Sequence, residues 1–156
     1  RDEAEADLRE LLALPDDYAV LFTTGGATTE NAVIPMNLMR RHKELAIDFI
    51  LTGYWSIRSF KEASRYGNVK VAASGGYSIR LDGAEQQPWT WTPPVQTWSV
   101  RQNASYLHMC SNETVDGVEI TEWPVSLPRL KVKIPLVVDA SSNFLSRPLP
   151  ITNTGI

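Results

Sequence analysis

An α/β layer structure on a mostly parallel sheet is the fold this sequence predicts, and three observations predict it. Apolar, strand-like runs alternate with amphipathic helical patterns from Tyr18 onward. Glycines mark the changes, at Gly25-Gly26, Gly53 and Gly67. Three consecutive aliphatic residues, Leu136, Val137 and Val138, read as a strand covered on both faces. Strand-helix alternation implies parallel crossovers with helices on the sheet faces, hence a three-layer sandwich.

Each element has its own signal. Glu3 to Leu14 carries Ala4, Leu8, Leu11 and Leu12 at helical spacing, with acids in the first turn and Pro15 just past the end, which predicts an amphipathic helix. Tyr18 to Thr24 (YAVLFTT) is rich in apolar and β-branched residues and predicts a short strand broken by Gly25-Gly26. A helix is expected from about Thr28 to Arg41; Pro35 removes one backbone donor inside it and predicts a kink or a shortened first turn. Ala46 to Thr52 is the next strand. Ser56 to Tyr66 is a helix burying Ile57, Phe60 and Ala63 and closed by Gly67, and Val69 to Ala73 is a third strand.

Ser74 to Pro94 changes character, with Gly75-Gly76, Asp82-Gly83, Pro93-Pro94, Trp89 and Trp91. Such an irregular excursion, running to about residue 102, is either a peptide-binding surface or, more commonly, a loop whose rings plug the edge of the core. Tyr106 to Cys110 resumes the sheet, and Asp116-Gly117 turns into Val118-Glu119-Ile120.

The 156 residues suffice for one domain with a hydrophobic core. A net charge of -3 argues against a nucleic-acid partner, and the one basic run, Arg40, Arg41, His42 and Lys43, is assigned to a helix end. No apolar run is long enough to span a bilayer and no leader-like segment is evident, so no membrane partner and a cytoplasmic location are expected. Cys110 is the single cysteine, which excludes an intramolecular disulfide and suits a reducing compartment. The sequons at Asn103 and Asn112 are read as chance. The chain starts inside a helical pattern and stops at Thr154-Gly155-Ile156, like an excerpt from a longer polypeptide.

Four features fall where strands should leave the sheet, the edge at which α/β proteins bind ligands. TTGGATTEN, Thr23 to Asn31, is a strand, two glycines and a helix start, which suits a phosphate cradle but equally a plain strand-to-helix turn. It has neither a three-glycine dinucleotide spacing nor the lysine of a P-loop. Trp55, in GYW, can stack on a heteroaromatic ring or simply fill core. In CSNETVDG, Thr114 can donate to a phenolate-like oxygen and Asn112 can hold the turn, or both can serve only the turn. Asp139 either caps a turn or faces a cation. Together the four match the phosphate, ring, phenolate oxygen and pyridine nitrogen of pyridoxal phosphate. His42 and His108 lack a second ligand at metal spacing, so neither a metal site nor a catalytic histidine is expected. Ser141 and Ser142 follow Asp139 as supporting donors.

The ordered blocks LFTTGGATTENAVIPMN, GYWSIRSFKEASRYGNV, HMCSNETVDGVEI and LVVDASSNFLSRP resemble the phosphoserine aminotransferases, class-V aminotransferases of the fold-type I pyridoxal phosphate group. The resemblance implies part of a large, cofactor-binding domain. It implies backbone amides of Ala27 and Thr28 on the cofactor phosphate, Trp55 on the ring, and Thr114 and Asp139 on its oxygen and nitrogen. Thr28 is an arginine in some members, and Glu30-Asn31 stands where glutamine and an aromatic are commoner. The resemblance places the Schiff-base lysine and the small domain beyond Ile156, so no catalytic residue is assigned and the chain alone is expected not to turn over. It further implies transfer of an amino group between glutamate and 3-phosphohydroxypyruvate, giving 2-oxoglutarate and phosphoserine in serine biosynthesis, by a homodimer. Another aminotransferase or desulfurase of the same fold type, or a non-catalytic truncated module, are the alternatives.

Overall fold

Four parallel strands, in the order Asn68–Ser74, Ala46–Leu51, Tyr106–Cys110 and Leu136–Asp139 across the sheet, carry the fold in this computed structural model. It describes residues 1–39, 45–76, 89–124, 134–151 and 154. In chain order the elements are α1 (Asp2–Leu12), α2 (Ala27–Leu38), β1 (Ala46–Leu51), α3 (Tyr54–Ala63), β2 (Asn68–Ser74), β3 (Tyr106–Cys110), β4 (Asn112–Glu113), β5 (Val118–Glu119) and β6 (Leu136–Asp139). β4 and β5 form a small antiparallel pair.

The sheet has a core on each face because successive side chains of a strand point opposite ways. Ile47, Phe49 and Leu51 of β1, Tyr106 of β3 and Val137 of β6 meet Phe60 and Ala63 of α3, with Ile34 and Leu38 of α2 packed alongside. Ile50, Leu107, Met109 and Leu136 face the other way, where Trp98, Ala104, Ile120 and Trp123 from irregular segments cover them. All six β1 residues are buried, as a central parallel strand requires. The polar exception, Asp48, is paired with the Arg101 guanidinium at 2.7 Å.

β3 and the helix burying Phe60 and Ala63 agree with the sequence expectation, with Ile57 partly buried against the same cluster. In the described part of the excursion Trp98 is buried in one core and Trp89 packs against the other, whereas Trp91 is exposed. Several expectations are corrected. Tyr18–Thr24 is not a strand; it joins no ladder among the described residues, and β propensity without a hydrogen-bonded neighbour does not make one. Leu21 and Phe22 are exposed there, while the Tyr18 hydroxyl donates to the Thr154 carbonyl at 2.6 Å. α1 forms, supported by a Glu5–Arg9 pair one turn apart, but buries no residue fully. Its Leu8 and Leu12 instead line an open groove of about 700 Å³ with Leu14, Tyr18, Leu21 and Phe144. α2 starts one residue earlier than expected and ends at Leu38. The basic run at 40–43 and the Asp82-Gly83 turn lie outside the described residues.

Candidate functional site

Because the four strands run in parallel, their carboxyl ends share one edge. β1 runs into Gly53 and Trp55, β3 into Ser111 and the β4–β5 turn, and β6 into Asp139 and Ser141. The connection from β1 leads to β2 on one side while β3 lies on the other, the kind of reversal beside which α/β sheets bind ligands.

α2 opens at this edge. Gly25 and Gly26 have φ of 84° and 93°, a region that glycine enters without steric cost. A Cβ at either position would meet nothing within 4 Å, so the backbone is open to a ligand. Gly26 gives α2 no side-chain cap, so the positive end of the helix dipole at Ala27 and Thr28 is not met by a capping side chain.

A cavity of about 340 Å³ lies between this helix start and β6, with Gly26, Ala27, Asn31, His108, Asp139 and Ser141 among its walls. Its size is at the small end of ligand sites. Asp139 accepts from the Ser141 amide at 3.0 Å and the Ser141 hydroxyl at 2.6 Å, both on Oδ1. It therefore fills the turn role open to it while its residue lines the cavity. His108 is buried, stacked on Phe49 at 4.7 Å between centroids, and its Nδ1 has no hydrogen-bond partner among the described residues. Burial pushes the His108 pKa down to about 4, against the opposing pull of the Asp139 charge. The imidazole is thus neutral at neutral pH. Setting His108 aside as an ordinary strand residue missed its place in the cavity; the period of two along β3, which puts Tyr106 and His108 on one face, was the available signal.

Of the five predicted site residues, Ala27 and Asp139 line the cavity; Thr28, Trp55 and Thr114 stand at the same edge outside its walls. Thr28 follows Ala27 in α2 and is exposed. Trp55 is half-buried in the first turn of α3, edge-on to Tyr54, with the Arg58 guanidinium 5.7 Å from its ring centroid. One turn on, the Ser59 hydroxyl lies 2.9 Å from Asn31 Oδ1 and ties α3 to the helix that walls the cavity. Thr114 is exposed in the turn after β4. The Asn112 amide donates to Ser142 Oγ at 2.8 Å, which joins that turn to the segment after Asp139.

The start of α3 is closed where that of α2 is open. Glu113, fully buried, accepts from the Trp55 amide at 2.7 Å, the Ser56 amide at 3.0 Å and the Thr52 hydroxyl at 3.3 Å. Asp116 accepts from the Tyr54 amide at 2.6 Å. Burial raises the Glu113 pKa above the usual carboxylate range, and its hydrogen bonds to Ser56, Trp55 and Thr52 oppose that rise. Glu113 is missing from the sequence reading, which took only Asn112 and Thr114 from this turn. Gly53 at the N-cap, where Ser, Thr, Asp or Asn would supply a side-chain oxygen, was the sign that α3 is capped from elsewhere. The α3 start is thus filled by two carboxylates, while the α2 start has no side-chain cap and carries Glu30 in its first turn, on the cavity wall.

The aminotransferase class-V family matches residues 1–156. The chain belongs to that family. Within it, a phosphoserine aminotransferase of Bordetella pertussis is 58% identical over 155 residues, 99% of this chain and 41% of the relative. This class-V chain thus spans about two fifths of the length of such curated relatives. Among solved structures, phosphoserine aminotransferase from Bacillus circulans subsp. alkalophilus superposes with a TM-score of 0.81 at 35% identity, over 99% of this chain and 38% of that one. A pyridoxal phosphate-bound phosphoserine aminotransferase from Trichomonas vaginalis gives 0.76 at 31% identity, over 99% and 39%. The parallel sheet with its flanking helices is therefore that of the class-V aminotransferases.

Proposed function

We propose that residues 1–156 are part of the large, cofactor-binding domain of a phosphoserine aminotransferase that uses pyridoxal phosphate. The observation that carries the reading is the cavity with an open helix start at one wall and a carboxylate at the other. Around it, along the same sheet edge, the groups that suit the cofactor are the amides of Ala27 and Thr28 for the phosphate, Trp55 for the ring, Thr114 for the phenolate oxygen and Asp139 for the pyridine nitrogen, of which Ala27 and Asp139 line the cavity itself. The glycines without Cβ contacts leave room for the phosphate, and the orphaned His108 Nδ1 fits a polar ligand nearby.

When bound, pyridoxal phosphate supplies an electron-withdrawing ring that stabilises negative charge at the substrate Cα. Asp139 holds a proton on the ring nitrogen, since an adjacent negative charge favours the cation. Ser141 fixes the carboxylate through two bonds to Oδ1. His108, kept neutral by burial, adds no positive charge to compete for Asp139. The α2 start binds the phosphate without a side-chain cation, through amides and dipole.

For the whole protein the proposed reaction moves an amino group between glutamate and 3-phosphohydroxypyruvate, giving 2-oxoglutarate and phosphoserine, in a cytoplasmic homodimer. The names of the relatives support the substrates. The test compares phosphoserine, alanine and cysteine as substrates of the full-length protein loaded with pyridoxal phosphate. Phosphoserine is expected to react fastest, and Asp139→Ala to lower kcat by about 100-fold or more. Faster turnover of alanine or cysteine overturns the substrate assignment; an unchanged kcat in Asp139→Ala overturns the role of the carboxylate.

A further inference from the structure

We infer that Glu113 is a positioning residue: its buried carboxylate locks the helix bearing Trp55 to the turn bearing Thr114, so that indole and hydroxyl face one ligand in fixed relation. The inference rests on the proposed roles of Trp55 and Thr114. Its geometry stands on its own. One carboxylate oxygen takes the Trp55 amide and the other the Ser56 amide, and Glu113 immediately precedes Thr114 in the chain. A fully buried carboxylate requires such donors, and three are supplied from the β1–α3 junction.

Two further contacts show that this junction is built around the carboxylate. A Cβ on Gly53 would sit 2.7 Å from Glu113 Cγ and 2.5 Å from Asp116 Oδ2, so close approach of the turn needs glycine there. On the far side, the Glu113 carbonyl accepts from the Gly117 amide at 2.7 Å and closes the turn around Thr114. Asp116 also caps α3, but through Tyr54, whose side chain is exposed. The two acids therefore act differently. Asp116 satisfies the helix end, whereas Glu113 sets where the Trp55 backbone lies relative to Thr114.

The experiment uses the full-length protein with pyridoxal phosphate and reads two quantities, the cofactor dissociation constant and the circular dichroism of the bound cofactor, which reports ring orientation. Glu113→Gln keeps the volume but turns an amide donor toward a backbone N–H. It is expected to weaken binding by about tenfold and to diminish the dichroism band, while Asp116→Asn leaves the band unchanged. Glu113→Asp keeps the charge but withdraws it by one methylene, and is expected to show the same loss if the glutamine variant does not fold. Binding within twofold of wild type and an unaltered band in either folded Glu113 variant overturn the inference. Trp55→Phe and Thr114→Val separate this failure from that of the site: if neither changes either readout, the assignment of Trp55 and Thr114 to the cofactor falls first.

Discussion

His108 gives the site a measurable signature. An ordinary histidine titrates near 6.5, and this one is held at about 4 by burial. Between those values the unfolded chain binds a proton that the folded chain refuses, so stability from His108 is full above about pH 6.5 and is lost as pH falls toward 4. The shift corresponds to about 3 kcal/mol. Replacing His108 by Gln is expected to flatten the decline of the urea midpoint between pH 6.5 and 4 relative to wild type; parallel curves would show that the imidazole is not held neutral. At this scale the sequence was legible where one residue marks the end of a strand. Asp139 could be placed at the sheet edge, where it lines the cavity, because an acid ended an apolar run. For His108 and Glu113 the sequence offered only indirect signals, the period of β3 and the uncapped start of α3, because their surroundings come from burial and from groups 31 and about 57 residues away in the chain.

The elements most open to sequence reading were those whose stability is decided within the sheet. β3 was predicted to the residue because a run buried on both faces has no alternative placement, and α3 was found from the spacing of Phe60 and Ala63. Tyr18–Thr24 failed for the complementary reason: seven residues with strand composition need a neighbouring ladder, which composition cannot report. The two helix starts also look alike in sequence, each a strand-like run followed by glycine, yet one is filled by carboxylates and one is open. That difference predicts unequal costs for the same substitution. Gly53→Ala forces Glu113 and Asp116 away from the α3 amides and is expected to destabilise by about 1–3 kcal/mol, with faster hydrogen exchange at Trp55. No exchange difference at Trp55 would show that the close approach is relaxed without loss of the cap.

For the molecule as a whole, the site depends on β1 and β2 being held against the chain that returns to β3, and one buried pair does much of that. Asp48 sits on β1 with no exposure, and Arg101, which ends the excursion, reaches its Oδ1 at 2.7 Å and also donates to the Ile47 carbonyl of β1 and the Asn68 carbonyl of β2. The Arg101 backbone amide adds a bond to Asp48 Oδ2. Arg101→Met keeps the stem and the backbone bond to Asp48 but removes the countercharge from a buried carboxylate, so a loss of about 3–5 kcal/mol is expected in urea unfolding. Asp48→Asn in the same background removes the stranded charge and should recover part of that loss, so the double variant costs less than the sum of the singles. A loss below about 1 kcal/mol for Arg101→Met, or additive singles, would show that Asp48 is accommodated without Arg101 and that the excursion is anchored by its tryptophans alone.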